Sequence, residues 1–271
     1  IDTATSTGDV SYTGPGFKPD FLIAIYDAAT ALSTDVDGLL LITDGLVAGM
    51  GMSDGTTDAC AVGASMDDLT TSHTTSSLST DFIRIYHAGS LATLDACTVK
   101  SLDSSGYTLT WGTANATAYK VSIIAIKGPA AKVVTATQPT TDTTNDVSAG
   151  FVPKAGMVLG SMKTASSSTS IHNRFVVGAW DEEDNMSCVG WMDQCGQTST
   201  NCGRFNSGSR SIVNYNHADT VVGQATVAAE GNGIRETWTN TDGTQYQHAW
   251  LLLGDTPPIS TNPAFLLFLD S

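Results

Sequence analysis

GFKPDFLIAIY, residues 16–26, decides how the chain is read, because GFVPKAGMVL at 150–159 repeats its pattern. Gly16, Phe17 and Pro19 return as Gly150, Phe151 and Pro153, at an offset of 134. The ends of the two units agree as well. GYTLTW (106–111) precedes AYKVSIIAIKG (118–128), and GIRETW (233–238) precedes YQHAWLLLGD (246–255). Trp111 thus matches Trp238 and Tyr119 matches Tyr246, both at an offset of 127. Loop insertions and deletions absorb the seven-residue difference, and a repeat of this period predicts two copies of one module.

Both copies read as strands. FLIAIY (21–26), GLLLIT (38–43) and VSIIAI (121–126) are apolar on both faces, as a strand buried between two layers must be. YTLTW (107–111) alternates, with Tyr107, Leu109 and Trp111 on one face and Thr108 and Thr110 on the other. The second unit offers AGMVLGSM (155–162), RFVVGAW (174–180), MSCVGWM (186–192) and TVVGQATV (220–227) in the same order. Gly, Ser, Asp and Thr fill the gaps, and helical periodicity is hard to find. The fold class is therefore all-β: two tandem antiparallel β-sandwich or jelly-roll-like domains related by internal duplication, at 1–130 and 131–256. An apolar C-terminal tail, 257–271, follows. Its run Phe265, Leu266, Leu267, Phe268, Leu269 is costly to leave in water and is expected to dock on the sandwich or on a neighbouring subunit.

Composition narrows the function. The 271 residues carry 27 acidic against 12 basic side chains, a net charge of −15, which repels phosphate backbones and argues against nucleic acid as a ligand. No apolar run reaches the length of a membrane span, and IDTATSTGDV at the start has neither the basic beginning nor the apolar middle of a signal peptide. Of five cysteines, Cys60 and Cys188 fall at corresponding places and suit apolar strands. Cys195 and Cys202 are spaced for a disulfide or for two free thiols.

Each candidate for chemistry has a plainer reading beside it. GMSDG (51–55) matches the G-x-S-x-G nucleophile elbow around Ser53, but TTDACAVG after it is not the helix an elbow needs. His73, His87, His172, His217 and His248 form no close metal pattern, and no cofactor is expected. Asp35 and Asp37 in TDVDG, and Asp181, Glu182, Glu183 and Asp184 in WDEEDN, are oxygen-rich loops that suit calcium or simply water. Among the tryptophans, Trp111 and Trp238 recur at matched positions on alternating strands, which favours core packing or interface burial, whereas Trp180 beside the acidic loop is the candidate exposed ring for a glycan.

Units that open on G-F-x-P before an apolar strand and close on an aromatic strand pair resemble β-sandwich repeats of tailed-bacteriophage structural proteins. The matching residues are Gly16, Phe17, Pro19, Gly106, Trp111, Ala118, Tyr119 and Gly128, then Gly150, Phe151, Pro153, Gly233, Trp238, Tyr246 and Gly254. The second unit departs at one point, reading GTQY where the first has ATAY. The resemblance implies a virion component on the particle exterior: a head decoration, a cement protein or a tail-associated protein, without an active site. Its expected partners are other virion proteins and copies of itself, with a trimer favoured because closed symmetry covers sheet edges. The rival expectation is a lectin-like module that binds glycan through loop aromatics and calcium.

Overall fold

The computed structural model describes residues 1–30, 45–66, 73–87, 92–165, 169–170, 172–198, 201–216, 218 and 220–255. Among them every regular element is a strand. The first half holds β1 (Gly8–Tyr12), β2 (Phe21–Asp27), β3 (Gly45–Ser53), β4 (Asp58–Met66), β5 (His73–Ser79), β6 (Ile83–Tyr86), β7 (Thr93–Asp103), β8 (Gly106–Thr113) and β9 (Val121–Ile126). The second holds β10 (Ala130–Thr137), β11 (Thr144–Ser148), β12 (Pro153–Lys163), β13 (Thr169–Ser170), β14 (Asn173–Asp181), β15 (Met186–Asp193), β16 (Cys202–Ser207), β17 (Ile212–Tyr215), β18 (Val221–Glu230), β19 (Gly233–Thr239) and β20 (Gln247–Gly254).

In the first half a small sheet, β1-β8-β7-β6, faces a large one that runs β9-β2-β3-β4-β5. In the second, β11-β19-β18-β17 faces β20-β12-β14-β15-β16. The order is the same strand for strand, and two glycine pairs show how closely. Gly16 and Gly150, each in the loop before the first long strand, have φ of 72° and 83°, a left-handed geometry that glycine adopts without strain. A Cβ on Gly51 of β3 would lie 1.8 Å from the Phe82 carbonyl oxygen, and one on Gly178 of β14 would lie 1.8 Å from that of Ser211. The strand entering the small sheet crosses the large one at backbone contact in both halves, so no larger residue fits.

Each half has its own core. Leu22, Tyr26, Ile83, Leu109 and Trp111 fill the first, and Val158, Trp180, Ile234, Trp238 and Trp250 fill the second. A third apolar layer lies between them, where the large sheets meet face to face. Phe21, Met52, Ala61 and Leu78 pack there on Val133, Leu159, Phe175 and Leu251. The molecule is thus a four-layer stack, small–large–large–small, in which β4 and β5 lie across β12 and β14. Polar bonds rim this seam: Ser65 Oγ donates to Asp193 Oδ2 at 2.9 Å, Thr74 Oγ1 to the Asp193 carbonyl at 3.0 Å, and Ser76 Oγ to the His172 carbonyl at 3.0 Å. One strand also crosses over, since β13 pairs with β5 in the other half's sheet.

The large sheets overlap only in part, and the overhangs leave apolar side chains in water. On the first sheet Ile25 and Ile124 are 48% and 45% exposed. On the second, Val189 and Trp191 of β15 are 51% and 36% exposed, with Phe175 stacked on the Trp191 ring at 4.5 Å.

Candidate functional site

The most concentrated polar chemistry among the described residues lies inside the second sandwich. Glu236 on β19 points inward because it shares a face with Trp238, and its carboxylate is wholly buried. Oε1 meets His248 Nε2 at 2.5 Å and accepts from Trp250 Nε1 at 2.7 Å. Oε2 accepts from Asn145 Nδ2 at 2.8 Å and from Trp238 Nε1 at 3.0 Å. Burial alone would push this carboxyl up, but the His248 imidazole and the N–H groups of Trp250 and Asn145 outweigh it and hold the pKa below the ordinary range. The stabilisation this provides is therefore present above the ordinary glutamate pKa and is lost as pH falls through the lower folded value.

Among the described residues the first half has no such cluster. There Leu109 pairs with Val10 in the register where Glu236 pairs with Asn145. The 127-residue offset puts Val121 and Ile123 where the second half has His248 and Trp250. One half has an apolar core where the other holds a buried acid and its four donors.

A cleft of about 550 Å³ opens beside this cluster, between the edge strands β10 and β11. Its walls are the chain at Val134–Thr137 and at Thr144–Ser148, closed by Pro139 and Gln245. Asn145 is the link to the interior: it lines the cleft, donates to Glu236 and reaches the Thr137 carbonyl at 3.4 Å. Outside, Arg235 holds Asp146 through two bonds of 2.7 and 2.9 Å. His248 Nδ1 is buried without a hydrogen-bond partner. The arrangement can anchor the two edge strands that flank the cleft, because Asn145 of β11 bonds both the buried carboxylate and the β10 carbonyl of Thr137.

The residues singled out in the sequence are scattered. Trp180 is not an exposed ring: it is 2% exposed in the second core, because the strand parity that carries Val176 and Gly178 inward carries it inward too. Trp191 is the exposed one. Ser53 ends β3 in a tight hairpin into β4, a strand–turn–strand, with its buried Oγ accepting from Gly55 N at 3.0 Å. Asp181 folds back on its own turn, accepting from Glu183 N at 3.0 Å and from Asn185 N at 3.0 Å, while Glu182 pairs with Lys154. No group of three or more metal-ligating side chains converges among the described residues. Cys195 and Cys202 are both free thiols. Asp35, Asp37, His217 and Phe265–Leu269 lie outside the described residues. Glu236 went unnoticed in the sequence, though its signal was there: GIRETW puts a glutamate at the inward position that Leu109 holds in GYTLTW.

No family model matches the chain, nor does any curated protein or any solved structure.

Proposed function

We propose that this protein is an architectural component on the exterior of a virus particle of the tailed-bacteriophage kind. In that role it is a capsid decoration, a cement or a tail-associated subunit, and it acts by binding copies of itself and neighbouring virion proteins. The observation that carries this reading is the step on the second large sheet, where Val189 and Trp191 stand in water on a face whose neighbouring strands are buried in the seam. Exposed aromatic and aliphatic side chains grouped on a flat, rigid sheet favour protein association. The edge strands β16 and β17 nearby offer backbone groups to a neighbour, and a closed ring such as a trimer would satisfy them without an open-ended chain of contacts. The glycan-binding alternative is weakened by the burial of Trp180.

Two measurements test the reading. Sedimentation equilibrium of the full chain should show a closed oligomer, and Trp191→Ser should weaken association by about tenfold or more, as loss of a central aromatic contact does. Mass spectrometry of purified particles should find the chain at a fixed copy number. A protein that stays monomeric at high concentration and is missing from particles would overturn it.

A further inference from the structure

The two crossings between large and small sheet differ in one chemical respect. In the first half the crossing at Gly51 is flanked by two cysteines. Cys60 of β4 pairs with Gly51 across the ladder, and a Cβ on Gly51 would lie 3.5 Å from the Cys60 Cβ. On the other sheet Phe82, whose carbonyl meets Gly51, donates its N–H to the Cys97 carbonyl of β7 at 2.8 Å. Cys60 and Cys97 thus sit one step to either side of the backbone contact. Strand parity turns both inward: Cys60 shares a face with Val62 and Ala64, Cys97 with Val99, and those faces meet in the first core. Both are buried, free thiols. Facing sheets usually stand about 10 Å apart, whereas a disulfide joins Cα atoms about 4.4–6.8 Å apart. The crossing supplies the closer approach. The thiols also act on one another: burial, and then the Cys60 thiol, hold Cys97 well above the ordinary thiol range, and burial followed by the Asp81 carboxylate pushes Cys60 up to about 12. The second half has the same crossing with one thiol. Gly178 pairs with Cys188, and Ser211 N donates at 3.0 Å to the carbonyl of Ala225, which stands where the first half has Cys97.

We propose that Cys60 and Cys97 are a modification site, closing an inter-sheet disulfide by exchange with a low-molecular-weight disulfide such as glutathione disulfide while the chain folds. One thiolate attacks the small disulfide, forms a mixed disulfide and releases one small thiol. The second cysteine then displaces the other small thiol. Two protein S–H bonds are lost and one protein S–S bond forms, while the S–S bond of the reagent is reduced to two thiols. Timing follows from the surroundings. A buried thiol with so high a pKa supplies almost no thiolate, so the folded, reduced protein reacts slowly, whereas in the unfolded chain both thiols titrate at about 8.5 and are exposed. The bridge closes the long loop 60–97, which restricts the unfolded chain and so stabilises the fold. This pairing does not depend on the virion role and stands or falls separately from it.

Refolding the full chain from urea in a mixture of oxidised and reduced glutathione tests it. Peptide mapping without reductant should find the Cys60 and Cys97 peptides joined, and the urea midpoint should rise by about 1 M over protein refolded in reductant. Folded, reduced protein placed in the same mixture should form the link at least about tenfold more slowly than the refolding chain. Two variants keep the result specific to the pair. Cys97→Ala carries the residue that the second half has at this place, so it should fold, but without the link or the rise in midpoint. Ala225→Cys should gain a second link, to Cys188, under the same conditions. If Cys60 and Cys97 both alkylate after oxidative refolding, if either is joined instead to Cys188, Cys195 or Cys202, or if the joined protein has a lower midpoint than the reduced one, the proposal is overturned.

Discussion

Glu236 shows what one residue can change within two halves of the same strand order. Replacing it alone leaves His248, Trp238, Trp250 and Asn145 with buried N–H groups and no common acceptor. Replacing His248 alone leaves a buried carboxylate short of its closest partner, and breaking such a pair from one side typically costs about 3–5 kcal/mol. The first half places Leu109 and Val121 at these positions, so the framework accepts an apolar pair there. Glu236→Leu and His248→Val should therefore each be strongly destabilising. The double variant should be less destabilised than the two losses added, with a coupling of roughly 1–3 kcal/mol in urea unfolding. Additive losses would mean that the two side chains act independently. Asp58 presents the opposite case. Its Oδ2 accepts from Val99 N at 2.9 Å, but Oδ1 is buried without a partner, and burial raises its pKa to about 6. A folded pKa above the unfolded value means that the folded state holds the proton more tightly. Stability from this group is then full below about pH 4 and is lost as pH rises through about 6. Asp58→Asn should be more stable than the parent at pH 7, by roughly 1–2 kcal/mol, and nearly equal to it at pH 3. Urea midpoints at the two pH values check this, and a gain of the same size at both would point to a cause other than titration.

At the scale of strands, the sequence made the framework legible and the packing much less so. Alternation in YTLTW and the apolar runs at 21–26 and 121–126 marked β8, β2 and β9, because period-two burial is local information. Gly16 and Gly150 marked equivalent turns for the same reason: left-handed backbone is written in a single residue. The partners of those strands across layers were not local. FLIAIY was rightly apolar on both faces, but only the fold shows that its second face meets another sandwich: Phe21 joins the seam while Leu22 joins the first core. The acidic turn after Trp180 suggests solvent, but exposure follows strand parity and the ring is buried. The serines and threonines of HTTSSLS gave no sign of burial in composition. Thr74 and Ser76 are buried because the seam supplies the carbonyls of Asp193 and His172 as acceptors, and those lie about a hundred residues away in sequence. The buried acid was legible only by laying one half on the other.

For the whole molecule the seam is the feature with the widest consequence. Two sandwiches joined by a short linker would unfold separately, since inter-domain contacts are usually small and polar. Here the faces in contact are apolar and buried: Leu78 and Met52 from one half meet Leu159 and Leu251 from the other, all at 1% exposure or less. Separating the halves would put those side chains in water, at about 25 cal/mol per Å² of apolar surface. β13 adds a backbone pairing across the boundary. The halves should therefore unfold as one cooperative unit. Leu159→Ala tests this at a site that touches only the seam, where loss of a buried leucine typically costs about 2–5 kcal/mol. Calorimetry should give a single transition for parent and variant, moved to lower temperature as a whole. Tryptophan fluorescence, which reports Trp111 in the first core and Trp180, Trp238 and Trp250 in the second, should follow the heat signal. If the variant shows two transitions, with only one shifted, the seam is a contact between independent bodies. If it shows one, each sandwich owes its stability to the other, and a lesion in either half reaches both.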